Sequence, residues 1–421
     1  MIWRRASCRK EITFADGPRG NLMLGDALVQ DLSEYYGQVQ CVYLDPPYYT
    51  GDRFTFRMRV GRDGWSGKGR TLILPTYDDF SGDSKAVYLK FLRGAIILAH
   101  RLLTNEGSFF LHMDYRANAH ARLICDDVFG EDNFVNEIVW SYQTGGRSKR
   151  YFSRKHDTIF LYGKSQDRYF DISQVPCRRK KDHTNHMKRN VDEQGRHYRT
   201  IRSGGRVYIY YDDEPSYPDD VWADVSQMQQ KDPQRTGYAT QKPQALLDRI
   251  IRCSTRKNDL VADFMCGSGT ALVSAADNNR RFLGMDDCIH ALSVTRKRLK
   301  DACVEVDSPL SSVTAMVDAA VLAGIGFYDV SLNAYTVSGD AFDNAVMEPA
   351  GKRIVSLDAV DQWYAGLLNN EEFQVYASGV RTKQSPDLPK TLKVPLLRGT
   401  VALMIIDVLG NRTLWAASSQ V

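Results

Sequence analysis

Short runs of apolar residues, each cut off by a turn residue, alternate along much of this chain with segments whose apolar positions recur every three or four residues. The short runs predict buried strands and the longer segments amphipathic helices. "VQCVYLD" reads as a strand, and "YLKFLRGAIILAHRLLT" as a helix ending near Asn105-Glu106-Gly107. "GSFFLHMD" follows as a strand, "RANAHARLICDDVFG" as a helix and "KHDTIFLYGKS" as a strand. The rhythm returns in "QKPQALLDRIIRCST" (helix), "DLVADFMCGSGT" (strand and loop), "TALVSAADNN" (helix), "RRFLGMD" (strand) and "HALSVTRKRLKDAC" (helix). Such alternation predicts an α/β fold, a doubly wound, mostly parallel sheet covered on both faces.

Two stretches break the pattern. From about Trp140 to Thr240 the chain turns polar. Beyond Asp307 strand-like segments and turn signals dominate, and "RGTVALMIIDVLGNRTLWAAS" reads as two strands around Gly410-Asn411. The expected units are therefore 1–140, 141–239, 240–306 and 307–421. The second is an insert between two halves of one α/β domain, and the last is a β-rich domain compatible with an immunoglobulin-like sandwich.

Composition sharpens this division. The 421 residues, 43% hydrophobic and 25% charged, suffice for two or three domains with a sizeable core. The net charge is only +4. Between Gln143 and Tyr210, however, 17 basic residues face six acids, a local excess of +11, and tyrosines and phenylalanines are interleaved. A single basic run is commonly a solvated face. A whole insert with this excess points to a phosphate backbone. Arg147, Lys149, Arg150, Arg154, Lys155, Arg178, Arg179, Lys180, Lys181, Lys188 and Arg189 are the candidate phosphate contacts. The eight cysteines show no paired spacing, so reduced thiols and a cytoplasmic location are expected. Cys177, His183 and His186 lack a fourth ligand at a usual spacing, and no metal site is expected. No apolar run approaches a membrane span.

Two loops carry the candidate chemistry. "VYLDPPYYTGD" delivers Asp45, Pro46, Pro47 and Tyr48 at the tip of a strand. A turn alone explains the prolines but not the acid and the rings. "VADFMCGSGTALVSAA" opens a helix after a buried strand, with Gly267 and Gly269 at the turn. Glycine there permits a sharp bend and close approach of a ligand. Asp286 ends the following strand, where a ribose diol would be held. The spacing is not G-x-G-x-x-G, and no Lys follows as in a P-loop. Taken alone, the glycine loop reads equally well as a structural turn.

Taken together, D-P-P-Y, the basic insert, "TQKPQALLDRII" and the G-S-G-T loop, in that order, resemble the permuted β-class of S-adenosylmethionine-dependent DNA amino-methyltransferases. The resemblance runs from about Asn21 to Arg298 and departs from the family pattern at Tyr49, Met265 and Cys266. It implies a Rossmann-like methyltransferase sheet, S-adenosylmethionine as cofactor and double-stranded DNA as partner, with the target base rotated out of the helix. It further implies that the Asp45 carboxylate and the Pro46 carbonyl accept hydrogen bonds from the base amine. Pro46 and Pro47 would hold that geometry, and Tyr48 would stack on the base. The cofactor would lie against Asp263, Phe264, Gly267, Ser268, Gly269 and Thr270, with Asp286 on the ribose. Gln241, Lys242 and Pro243 would close over it, and Asp26 would meet the adenine edge unless it merely caps a helix. Asp rather than Ser at the head of the motif implies adenine-N6 methylation, with cytosine-N4 the alternative. A catalytically idle DNA-binding subunit would be expected to have lost motif residues that are present here. A homodimer is a further implication; any cognate restriction endonuclease would be a separate chain, and an orphan methylase is equally allowed.

Overall fold

Val39–Leu44 is buried at all six positions. Val42 and Leu44 face one side of the sheet, Cys41 and Tyr43 the other. A strand covered on both faces has no polar side to show, which is why its sequence is one apolar run. The computed structural model describes residues 2–4, 20–67, 71–142, 148–177, 189–229, 231–299, 303–306, 314–338, 347–348, 354, 356–369 and 372–417.

On one side of Val39–Leu44 lies the parallel strand Leu103–Met113. On the other lie Leu260–Asp263, then Arg281–Asp286, then Gly20–Leu24, all parallel. Beyond Leu103–Met113 the sheet turns antiparallel through His156–Gly163 and Phe134–Ser141. Helices Lys85–Leu102 and Asn118–Phe129 share one core with one face of the sheet. Helices Gln244–Ser254 and Thr270–Asp277 pack on the opposite face. From Val39–Leu44 the chain crosses to one side of the sheet, and from Leu260–Asp263 to the other. Between the C-terminal ends of these two strands the crossovers diverge and open a crevice.

The expected unit boundaries shift. His156–Gly163, placed by sequence inside the insert, belongs to the central sheet, and Ile159, Phe160, Leu161 and Tyr162 are buried there. The described insert reduces to a small three-stranded sheet of Arg189–Val191, His197–Ser203 and Arg206–Tyr211, plus connecting loops. Gly20–Leu24 pairs with Arg281–Asp286, so it joins the glycine-loop half and not the Asp45 half. The last strands do not stand apart either. Glu372–Val380, Val360–Asn369, Thr400–Asp407 and Arg412–Ala416 continue the central sheet. A second layer, Thr314–Ala323, Phe327–Ser338 and Thr391–Pro395, covers them through Val330, Leu332 and Tyr335 against Trp363, Leu403 and Ile405. The hairpin at Gly410-Asn411 is present, with Gly410 at φ +84° and the Asp407 carboxylate accepting the Leu409 and Asn411 N–H groups, each at 2.9 Å.

A hairpin of Arg53–Arg59 and Thr71–Asp78 after the Asp45 loop was not expected from the sequence. Among the described residues no helix is long and apolar enough to cross a membrane.

Candidate active site

Asp45 stands at the crevice because Leu44 ends the strand and Pro46 cannot extend it. The loop that follows is wrapped around Asp79, a residue that no sequence pattern singles out. Asp79 is 1% exposed. Its carboxylate accepts the backbone N–H of Tyr48 (3.3 Å), Tyr49 (2.8 Å) and Thr50 (2.9 Å) and the Thr50 hydroxyl (2.7 Å). Tyr49 is thereby held at φ +61°, a region uncommon for a non-glycine residue. Tyr88, on helix Lys85–Leu102, donates to the Pro47 carbonyl at 3.0 Å. The D-P-P-Y segment is thus fixed by a buried anion and a helix, and the two prolines supply only part of its rigidity.

The Tyr48 hydroxyl donates to Asp45 Oδ1, and burial raises its pKa well above the usual phenol value. Its ring stacks on buried His112 at 6.2 Å. His112 in turn bridges the Tyr43 hydroxyl (2.9 Å) and Asp157 (3.2 Å). Burial, the largest influence, opposes the charge on Asp157, but His112, the Lys242 ammonium and the Tyr142 hydroxyl together outweigh it and hold the carboxyl below the usual range.

The glycine loop lies opposite. Gly267 sits at φ +50° and donates its N–H to Asp286 Oδ2 at 2.8 Å, while Cys288 N–H donates to Oδ1 at 3.0 Å. Burial pushes the Asp286 carboxyl up to about 7. Asp263, also buried, is raised well above the carboxylate range despite accepting the Met265 N–H at 3.2 Å. A second residue missed by sequence reasoning is Arg298, which reaches back to donate to the Ser268 carbonyl (2.6 Å) and the Thr270 hydroxyl (2.9 Å). Burial pushes its guanidinium down to about 10. The helix Ile289–Leu299 that carries it is tied to the C-terminal strands by Lys297 and Ser293 on buried Asp361.

Between the two loops lies a cavity of about 470 Å³, which Pro46 and Tyr48 do not line. Asp26, Asp45, Pro47, Lys242, Asp263, Phe264, Gly267, Ser268, Thr270 and Asp286 line it, as do Tyr77 and Asp287. Gly269 does not. It sits at φ +71°, where a Cβ would lie 2.4 Å from Thr295, so it is needed for the turn and for helix packing. Pro243 precedes helix Gln244–Ser254 and leaves the cavity wall to Lys242. Gln241 pins the preceding loop, accepting from Thr236 N–H (2.9 Å) and donating to the Gln234 carbonyl (2.8 Å). Asp26 caps no helix. It accepts the Leu28 N–H at 2.9 Å in a turn.

Lys242 differs most from expectation. Its ammonium donates to Asp45 Oδ2 and to Tyr48 Oη (3.1 Å). With Tyr238 and Thr240 it also lines a second cavity of about 230 Å³, which is bounded by Trp140, Tyr142, Asp157, Gln227 and Arg235.

The candidate DNA contacts divide. Lys149, Arg150 and Arg154 are exposed on one loop with Phe152, itself 99% exposed, and Arg154 lies over the Tyr115 ring at 3.9 Å. Lys155 is half-buried, its carbonyl accepting the Tyr142 N–H at 2.9 Å. Arg189 pairs with Asp212 at 2.8 Å. Arg147, Arg178, Arg179, Lys180, Lys181 and Lys188, with His183 and His186, lie outside the described residues. Among the described residues no cluster of His, Cys, Asp or Glu is arranged to hold a metal ion.

The lining decides what this cavity suits. Six aspartates (26, 45, 78, 263, 286 and 287) face it against one cationic side chain, Lys242. Burial holds Asp263 and Asp286 toward the protonated form and Asp45 is paired with Lys242, so the wall is less negative than the count. It still offers a phosphate little and suits a ligand with cationic groups and hydroxyl donors.

A family model described as DNA methylase, covering N6 and N4 enzymes, matches residues 39–296. The type II methyltransferase M.EcaI of Enterobacter cloacae is 24% identical over 308 residues, 62% of this chain and 64% of that protein. This chain thus spans less than two thirds of that relative. The DNA adenine methyltransferase YhdJ of Escherichia coli (strain K12) is 26% identical over 264 residues, 62% of this chain and 76% of that protein. Among solved structures, the cytosine-N4-specific PvuII DNA methyltransferase aligns at TM-score 0.45 and 14% identity, covering 68% of this chain and 88% of that one.

Proposed function

The chain belongs to the DNA methylase family, and on that premise we propose that it methylates the N6 amine of adenine in duplex DNA with S-adenosylmethionine as cofactor. The observation that carries this reading is the aspartate-lined crevice with Asp45 at one strand end and the glycine loop at the other. The cofactor suits that wall in charge and hydrogen-bonding character, since its sulfonium and ammonium outweigh its single carboxylate, it bears a ribose diol and it has no phosphate.

When bound, S-adenosylmethionine supplies a methyl group already activated on its sulfonium. Asp286, once ionised, accepts the ribose hydroxyls. Gly267, without a side chain, lets the ligand approach the loop. Asp26 and Asp287 would hold the adenosine part, and Asp263, with Phe264 beside it, the methionine part. Asp45 accepts an N–H of the base amine, with the Pro46 carbonyl as second acceptor. Together they bias a lone pair otherwise delocalised into the ring toward the methyl donor. Both acceptors are preorganised, by Asp79 and Tyr88, which is electrostatic and positional catalysis without a covalent intermediate.

The DNA would meet the loop between Phe134–Ser141 and His156–Gly163, where Lys149, Arg150, Phe152 and Arg154 are exposed. The small sheet adds Arg202 and Arg206, both exposed, at the tip of a ribbon whose Ile201, Val207, Tyr208 and Tyr210 face solvent. A two-stranded ribbon of this kind fits a major groove. Adenine is favoured by Asp at the head of the motif and by the adenine specificity in the name of the Escherichia coli relative. A second copy of the chain, and an endonuclease on another chain in a restriction–modification setting, complete the proposal.

The test is nucleoside analysis of unmethylated duplex DNA after incubation with methyl-labelled S-adenosylmethionine, with Asp45→Ala alongside. Label in N6-methyladenine that vanishes in the variant is the expected result. Label in N4-methylcytosine would overturn the choice of base. No label, with the cofactor bound, would leave an idle DNA-binding subunit.

A further inference from the structure

Both oxygens of Asp45 already accept a donor from within the protein, Oδ1 from Tyr48 and Oδ2 from Lys242. The two donors are held very differently. Tyr48 lies three residues along the same braced loop, with its ring stacked on His112. Lys242 arrives from a distant segment on a flexible four-carbon stem. Its backbone is anchored, because its carbonyl accepts the Thr270 hydroxyl at 3.2 Å and Gln241 beside it is buried and hydrogen-bonded. Its ammonium, in contrast, stands where the two cavities meet, and the Asp157 carboxylate faces the second of them. Of the two donors, the ammonium is the one with somewhere else to go.

We propose that Lys242 is a placeholder: its ammonium occupies, in the free protein, the place on Asp45 that the exocyclic amine of the target base takes, and the entering base displaces it toward Asp157. This rests on the reading of the site as a base amino-methyltransferase. It also deepens that reading, because only a base presenting an N–H donor can substitute for the ammonium. A keto base would set a carbonyl oxygen against the Asp45 carboxylate and leave the placeholder seated.

The test compares Lys242→Met, which keeps the length and loses the donor, with Lys242→Arg, which keeps a donor. For each full-length protein, kcat and KM for duplex DNA are measured by methyl incorporation, and binding of S-adenosylmethionine by calorimetry. With the competitor removed, Lys242→Met should lower KM for DNA several-fold, and Lys242→Arg should return KM to the parent value or above it. Loss of a positive charge that simply attracted DNA predicts the opposite sign. A raised KM in Lys242→Met, or weakened cofactor binding with KM for DNA unmoved, overturns the placeholder while the parent's transfer activity stands. Absence of transfer by the parent overturns the functional reading, and the placeholder with it.

Discussion

Replacing Asp286 by Asn separates two demands on one carboxyl group. In the protein the carboxyl accepts the Gly267 and Cys288 N–H groups, yet burial raises its pKa from the ordinary 3.8 to about 7. A carboxyl whose pKa rises on folding binds its proton more tightly in the native state. Its contribution is therefore greatest at low pH, declines as pH climbs from about 4 toward 7, and is constant above that. At about 1.36 kcal/mol per pH unit, the interval from pH 5.5 to the folded pKa is worth about 2 kcal/mol, an upper value because the cavity admits water. Asn does not titrate. Its single carbonyl oxygen leaves one N–H partner poorly satisfied, a loss of about 1–3 kcal/mol that does not change with pH. The difference in unfolding free energy between variant and parent should therefore swing by about 2 kcal/mol in the variant's favour between pH 5.5 and 8.5. Urea unfolding at a series of pH values reads this directly. The subtraction also removes the raised carboxyl of Asp407, which does not feel Asp286 and is common to both proteins. Cofactor binding should move the other way, strengthening in the parent as pH passes 7 and weak at every pH in the variant. A difference curve flat to within about 0.5 kcal/mol would refute the burial argument.

Three further outcomes are expected. Asp79→Ala removes the acceptor of three backbone N–H groups and a hydroxyl, so kcat should fall by about 10²-fold or more through poorer positioning, with cofactor affinity nearly intact. Asp79→Asn should lie between, and equal kcat in all three proteins would show the loop to be held by its prolines. Gly269→Ala drives a Cβ to 2.4 Å from Thr295 in a left-handed backbone, so thermal unfolding should report a loss of at least about 2 kcal/mol. Arg202→Ala with Arg206→Ala should flatten the dependence of log K for DNA on log salt by about one for each phosphate that is no longer neutralised. An unchanged slope would place the DNA elsewhere.

Legibility in the sequence followed burial. Val39–Leu44 and helix Gln244–Ser254 were legible because one run is covered on both faces and the other has a strict apolar stripe. The glycine loop was legible because Gly267 and Gly269 adopt backbone angles that other residues avoid. Asp79, Arg298 and the reach of Lys242 to Asp45 were not, since each acts through a contact between distant segments that leaves no local periodicity. Asp79 sits in a polar stretch after a hairpin and looks like any turn residue until the Tyr48–Thr50 amides are found around it. The unit boundaries moved for a related reason. Strands join sheets through backbone hydrogen bonds, which carry no side-chain signature, so His156–Gly163 could be read as a strand without revealing which sheet it joins.

The pairing at the crevice also has a consequence for how the protein is made. Cys41 lies beside Val261 in the centre of the sheet, so the strand bearing Asp45 leaves the ribosome long before its neighbour on that side exists. Its other neighbour, Leu103–Met113, follows soon after with helix Lys85–Leu102. During synthesis the nascent chain therefore carries a half-sheet with an apolar, unpaired edge while the whole basic interval is translated, the kind of edge that invites wrong partners. A gene interrupted within that interval would yield two polypeptides, each carrying the edge the other needs, with the crevice formed only when they meet.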